Sequence, residues 1–202
     1  MAGWTRHTGQ AAVLPLANVD TDQLIPARFM SVPRSEGYGD YLMYDLRRKA
    51  DGTLDHAFAL NGAVDASVLI AGANFGTGSS REAAVYALVD AGFMVVIAPS
   101  FGDIFESNAV NNGLLPARVD AHSCAALTDA SAQGAQVQID LQGGRIHCGA
   151  CAVGFSLDES WRTKLINGWD DIDLTQTHAS AIAAFKESRR KSAGWVWSAL
   201  GQ

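Results

Sequence analysis

Two apolar runs constrain this chain most. Val68-Leu69-Ile70-Ala71-Gly72 and Phe93-Met94-Val95-Val96-Ile97-Ala98 carry no charged or polar side chain. Runs this short and this uniformly apolar read as strands buried on both faces, the pattern of a parallel sheet. Between them lies a glycine loop, Ala73-Asn74-Phe75-Gly76-Thr77-Gly78-Ser79-Ser80, followed by Ala83, Ala84, Ala87, Leu88 and Ala91 at helical spacing up to Gly92. The unit is therefore β-α-β, with parallel strands and a right-handed crossover. Its helix is expected to start at Ser79 or Ser80. Each can cap, and Glu82 stands three residues after Ser79, the capping-box interval.

The flanking segments extend this unit. Residues 11–30 read as a strand, a polar loop around Asn18–Asp22 and a short segment after Pro26. Residues 31–65 read as an irregular excursion with a short helix near Gly39–Arg47. Ser100 or Asp103 can cap a short helix through Ile104-Phe105, which Asn111-Asn112-Gly113 ends, and Leu114–Val119 forms another strand. Residues 120–156 hold an Ala-rich helix and two alternating strands, Val137–Leu141 and Arg145–Cys148, joined at Gly143-Gly144. The tail from Ser160 reads as helical, with Ala181, Ile182, Ala184 and Phe185 on one face between Asp173 and Arg190. No repeat or linker divides the chain, so residues 1–202 read as one domain with a helical tail over 160–192.

Charge excludes some functions. The net charge is -6, and Lys and Arg form no long run, Arg189-Arg190-Lys191 being a cluster of three. Nucleic-acid backbones demand many cationic contacts, so no nucleic acid is expected. No stretch approaches the ~18 apolar residues of a membrane span, and the start lacks the apolar core of a signal peptide. No membrane and a cytoplasmic location are expected. Three cysteines, Cys124, Cys148 and Cys151, suit a reducing compartment. C-G-A-C lacks the second pair of a zinc ribbon, and core or loop thiols are the reading preferred to a redox pair.

A glycine loop entering a helix offers free N–H groups and a helix dipole to an anion. Gly72-x-x-x-Gly76-x-Gly78 matches neither G-x-G-x-x-G nor a P-loop, since no Lys follows, so nucleotide phosphate is disfavoured. Arg81 can hold a carboxylate through two parallel hydrogen bonds, with Ser79 and Ser80 beside it. A serine oxygen can take a proton from carbon only with strong support from N–H donors, Arg and a nearby metal ion. Two readings stay open: the serines only cap the helix and Arg81 pairs with Glu82 or Asp103, or the three residues bind and act on a substrate. Likewise Asp20 and Asp22 either orient the arginine or form an Asx-turn.

Several motifs then decide between them. N-V-D-T-D-Q-L-I-P at 18–26, N-F-G-T-G-S-S-R-E at 74–82, and I-A-P-S-F-G-D-I-F-x-x-N at 97–108 followed by N-G-L-L-P at 112–116 resemble the swivel domain of the aconitase superfamily. L-I-N-G-W-D-D-I-D-L-T at 165–175 and the helix after it resemble the small subunit of bacterial isopropylmalate isomerase, or 3-isopropylmalate dehydratase. The resemblance covers residues 12–190. It implies an α/β fold, a swivelling β/β/α domain with a βαβ core and a C-terminal helical extension. It implies a hydro-lyase of leucine biosynthesis, active only with a large subunit that carries a [4Fe–4S] cluster. That cluster would act as a Lewis acid on a small diacid; this chain would bind no cofactor itself, since such a cluster wants three or four thiolates and its cysteines lie outside the motifs.

By residue, the resemblance makes Ser79 the base and Asp22 an active-site residue. It places Ser80, Arg81, Gly76 and Gly78 at the substrate carboxylate. It makes the segment after the first motif a specificity loop, in which Phe29, Met30 and Val32 suit an isopropyl group while Arg34 would suit an extra carboxylate. Thr77 and Ala83 stand where relatives usually carry Cys and His. Alternatives within the same fold are a related 2-alkylmalate, citraconate, dimethylmaleate or homoaconitate hydratase, and a non-catalytic binding module.

Overall fold

The computed structural model describes residues 2–63 and 65–197. In chain order the elements are β1 (Arg6–Leu14), α1 (Thr21–Leu24), α2 (Tyr44–Arg47), α3 (Ala59–Gly62), β2 (Ala66–Ala71), α4 (Glu82–Asp90), β3 (Val95–Ala98), α5 (Asp103–Asn111), β4 (Leu115–Arg118), α6 (Ala121–Ala132), β5 (Val137–Asp140), β6 (Arg145–Cys148), β7 (Cys151–Gly154), α7 (Glu159–Asn167), α8 (Asp171–Gln176) and α9 (Ala179–Ser192). The strands form one sheet in the order β4-β3-β2-β1-β5-β6-β7. β1 to β4 run parallel, and β5 to β7 run antiparallel. The fold is the expected α/β type.

β1 joins the two halves. Arg6–Gly9 pair antiparallel with β5, Ala11–Leu14 pair parallel with β2, and the register shifts between Gln10 and Ala11. Such an irregularity bends a strand and re-aims its pairing edge. Alternation along the parallel strands then separates two cores. Leu69, Ala71, Val96 and Ala98 face α1, α4, α5 and the 31–65 excursion. Val68, Ile70, Val95 and Ile97 face the other way, with Cys124 and Leu127 of α6 and Leu165 of α7.

The structure corrects several expectations. The first strand begins at Arg6, five residues before the apolar run. α4 begins at Glu82, with Arg81 as its cap residue and no side-chain cap. Gly78 takes φ +94° and the Arg81 N–H turns back to the Ser79 carbonyl at 2.8 Å, so the serines stay outside the helix. α5 likewise has Gly102 as its cap residue and no side-chain cap; a Cβ there would stand 2.7 Å from the Gly76 carbonyl oxygen. β7 is an additional strand, since Gly149-Ala150 is a two-residue turn that sets Cys148 opposite Cys151. The tail is helical as expected and divides into three helices. Gly168 ends α7 in the left-handed region and Asp170 starts α8 with a capping box. No residue of α9 is buried. Among the described residues no helix is long and apolar enough to cross a membrane.

Candidate active site

Three sequence-distant segments meet beyond the carboxyl ends of β1, β2 and β3, where open parallel sheets bind ligands. The 18–22 segment is stitched to the glycine loop by main-chain bonds: Asn18 N–H to Ala73 carbonyl (2.8 Å), Gly76 N–H to Val19 carbonyl (2.7 Å) and Thr21 N–H to Thr77 carbonyl (3.0 Å). Asn18 and Asn74 both adopt positive φ, 56° and 59°, a conformation Asn tolerates better than most residues. The Asn74 amide donates to Asn18 Oδ1 at 3.0 Å. On the other flank, Phe75 N–H donates to the Ser100 carbonyl (3.0 Å), Gly102 N–H to the Phe75 carbonyl (2.9 Å), and Asn74 N–H to Ser100 Oγ (2.8 Å).

Beneath the loop lies an aromatic floor. Phe75 meets Phe105 edge-on at 5.4 Å, and Phe101 stacks on Phe105 at 6.2 Å. Gly76 fits against this floor at φ +72°; a Cβ there would lie 2.2 Å from the Phe105 ring. Its amide is committed to Val19, whereas Gly78 is exposed. The two glycines therefore serve differently: one shapes the loop from below and one stands at its surface.

The serine–arginine corner sits on this platform. Ser79 and Ser80 are exposed. Thr21, 2% exposed, donates from Oγ1 to the Ser79 carbonyl at 3.1 Å and so pins the main chain of Ser79. Arg81 forms an ion pair with Asp22, where the sequence reading offered Glu82 or Asp103. Glu82 is instead taken by Asn112, whose amide donates to Oε1 at 2.8 Å. Asp20 caps α1 in a capping box with Gln23, so the two aspartates divide the readings offered for them. Exposed ion pairs contribute about 0–1 kcal/mol, so Asp22 holds Arg81 loosely. A guanidinium has five donors, which leaves most of the fork for a carboxylate. Thr21, Asn18, Asn74 and Asn112 were absent from the sequence-derived site; their signal was only their place inside the motifs, since their partners lie 30 to 60 residues away.

A cleft of about 340 Å³ adjoins the corner, lined by Ser79, Thr77, Asn74, Phe101, Asp103 and Ile104 among others. The expected specificity loop lies elsewhere in part. Arg34 makes a bidentate pair with Asp90 at 2.6 and 2.8 Å, at the far end of α4, ~12 Å from Glu82 by helical rise. Phe29 stacks on Tyr41 at 4.3 Å and Val32 packs against the core; Met30 is exposed. Ala83 is 8% exposed and belongs to the core, so the position where the resemblance leads one to expect His faces inward here.

The cysteines do not fit an iron–sulfur cluster. Cys124 donates from Sγ to the Ala71 carbonyl and Cys148 to the Ala135 carbonyl. Cys148 and Cys151 face each other across the β6–β7 turn while Cys124 sits on α6, and among the described residues no three His, Cys, Asp or Glu side chains gather to hold a metal ion, whereas such a cluster wants three or four thiolates.

A parallel half-sheet whose crossing loops gather a glycine turn, a serine pair and an arginine–aspartate pair defines an aconitase-type swivelling domain. The family model described as the aconitase C-terminal domain matches residues 1–122. Relatives named 3-isopropylmalate dehydratase small subunit include that of Shouchella clausii, 44% identical over 183 residues, 89% of this chain and 93% of that one. That of Bacillus subtilis is 45% identical over 190 residues, 92% and 95% of the two chains. The crystal structure of a 3-isopropylmalate dehydratase from Methanocaldococcus jannaschii is 27% identical, with a TM-score of 0.65 over 90% of this chain and 99% of that one. The chain belongs to the family of 3-isopropylmalate dehydratase small subunits.

Proposed function

We propose that this chain is the small subunit of a cytoplasmic hydro-lyase of leucine biosynthesis. With a large subunit it interconverts 2-isopropylmalate and 3-isopropylmalate through a dehydrated intermediate. The observation that carries this reading is the corner itself: a partly exposed guanidinium whose one ion pair among the described residues is to Asp22, beside two serine hydroxyls that the helix does not use as caps. Family membership supports the substrate.

In this reading Arg81 exchanges part of its contact with Asp22 for a substrate carboxylate, and Ser80 adds a hydrogen bond to it. Ser79 Oγ takes the proton from the carbon beside that carboxylate and returns it on rehydration. A serine hydroxyl is too weak an acid for this unaided; Arg81 and the uncapped amino end of α4 supply positive potential beside it. The departing hydroxyl calls for a Lewis acid, which we place on the large subunit as a [4Fe–4S] cluster because the thiols of this chain do not fit one.

The test is reconstitution with a cluster-bearing large subunit. The pair is expected to turn over 2-isopropylmalate and to lose activity in air, and this chain alone is expected to be inactive. Ser79→Ala is expected to lower kcat by about 10²–10⁴ with the pair still assembled. Undiminished turnover by that variant would remove Ser79 as the base.

A further inference from the structure

The cleft beside the corner has two chemically unlike walls. One is the glycine loop with Asn74, Thr77 and Ser79; the other is the first turn of α5, Asp103 and Ile104. Ile104 is 53% exposed. A single exposed isoleucine is ordinary on a protein surface. Its place is what matters, since it lines the same cleft as Ser79, above the buried ring of Phe101. The adjacent Asp103 is exposed and makes no ion pair among the described residues.

Of the residues first assigned to specificity, Arg34 and Phe29 are engaged in other contacts, while Met30 is exposed. Arg34 is clamped by Asp90 and lies over the Tyr86 ring at 4.4 Å. Phe29 lies between Tyr41 and Tyr44, with the Arg28 guanidinium 4.5 Å from its ring. With one carboxylate at Arg81 and the reacting carbon at Ser79, as proposed above, the cleft that Ser79 lines offers room for the substrate's side group. There it meets Ile104 and Asp103.

We infer that the Asp103–Ile104 step selects the substrate's side group: Ile104 gives an alkyl branch an apolar contact, and Asp103 repels a third carboxylate. This rests on the proposed function and names the chemistry that the same site prefers. An apolar contact discriminates only modestly between alkyl groups of different size, whereas an unpaired like charge adds an opposing element against the wrong ligand. The two residues thus divide the work: one sets how large the branch is, the other that it is uncharged.

Three substrates differ only in the group on C3: 3-isopropylmalate, 3-methylmalate and isocitrate. With the reconstituted pair, Ile104→Ala is expected to lower kcat/KM for 3-isopropylmalate about tenfold relative to 3-methylmalate. Asp103→Asn is expected to raise kcat/KM for isocitrate relative to 3-isopropylmalate by about fivefold or more. Equal losses on all three substrates, or unchanged ratios, overturn the inference. Gel filtration reports whether each variant still joins the large subunit. A variant that does not join it marks a subunit contact and overturns the assignment for that residue. Failure of the wild-type pair to turn over 3-isopropylmalate defeats the underlying function instead, before any variant is compared.

Discussion

Helix α4 carries an arginine–aspartate pair at each end, and the two could hardly be less alike. At its amino end Arg81, with its side chain 22% exposed, meets Asp22, whose side chain is 57% exposed, and the pair has no further side-chain partner among the described residues. At its carboxyl end Asp90, 20% exposed, takes both arms of Arg34 and the Tyr38 N–H at 2.7 Å, and Arg34 lies over Tyr86 and Tyr38. The chemical partners are identical, but the surroundings decide what they do. A pair with three extra contacts fastens the 31–41 segment to the helix. A pair whose acid stands in solvent without other contacts is one that a ligand can replace.

The contrast can be broken by substitution, and the largest effect is expected under the open end. Gly76→Ala forces a left-handed alanine against Phe105; left-handed geometry costs ~1–2 kcal/mol and overpacking ~1–3 kcal/mol. Thermal unfolding should show a loss of about 3 kcal/mol together with a damaged corner. Next comes the locked end. Asp90→Ala leaves Arg34 and the Tyr38 N–H without their acceptor and is expected to cost about 2 kcal/mol, read as a fall in Tm of roughly 4–8 °C, with kcat of the folded pair unchanged. Arg81→Lys should reverse that profile: no measurable change in Tm, but kcat/KM for 2-isopropylmalate lowered about tenfold, because a point charge replaces a fork. Asp22→Asn should move stability least, by under about 0.5 kcal/mol. A Tm loss for Asp22→Asn equal to that for Asp90→Ala would erase the distinction between the two ends.

The parallel half was legible because its strands are mostly apolar: β3 and β4 fall within the runs that announced them, β2 starts two residues before its run, at Ala66, and the helix between β2 and β3 follows from the alanine spacing. The misses have local causes. β7 is Cys-Ala-Val-Gly, too short and too mixed to show a period, and its turn hid inside a pair that reads as redox or metal chemistry. The start of α4 was misplaced because Ser79 and Glu82 have capping-box spacing, while Gly78 and the pull of Thr21 on the Ser79 carbonyl hold the serines off the helix axis. For the corner, sequence supplied Ser79, Ser80 and Arg81 by adjacency and Asp22 through the family resemblance. No spacing rule joins Asp22 to Arg81 across 59 positions. Arg34 was the converse case: a cation near the first motif looked free for a carboxylate, and only the return of the 31–41 segment onto α4 revealed Asp90 as its partner.

The stitching of the 18–22 segment to the glycine loop also bears on how the protein is made. Its bonds join residues separated by 55 or more positions, as in Asn18 to Ala73 and Thr21 to Thr77. Closing loops of that length costs chain entropy before any bond repays it. The corner therefore has no local nucleus of its own. Its assembly needs β1 seated in the sheet beside β2, so a chain in which that pairing has not formed lacks the joined pocket, and binding competence reports that the distant halves have come together.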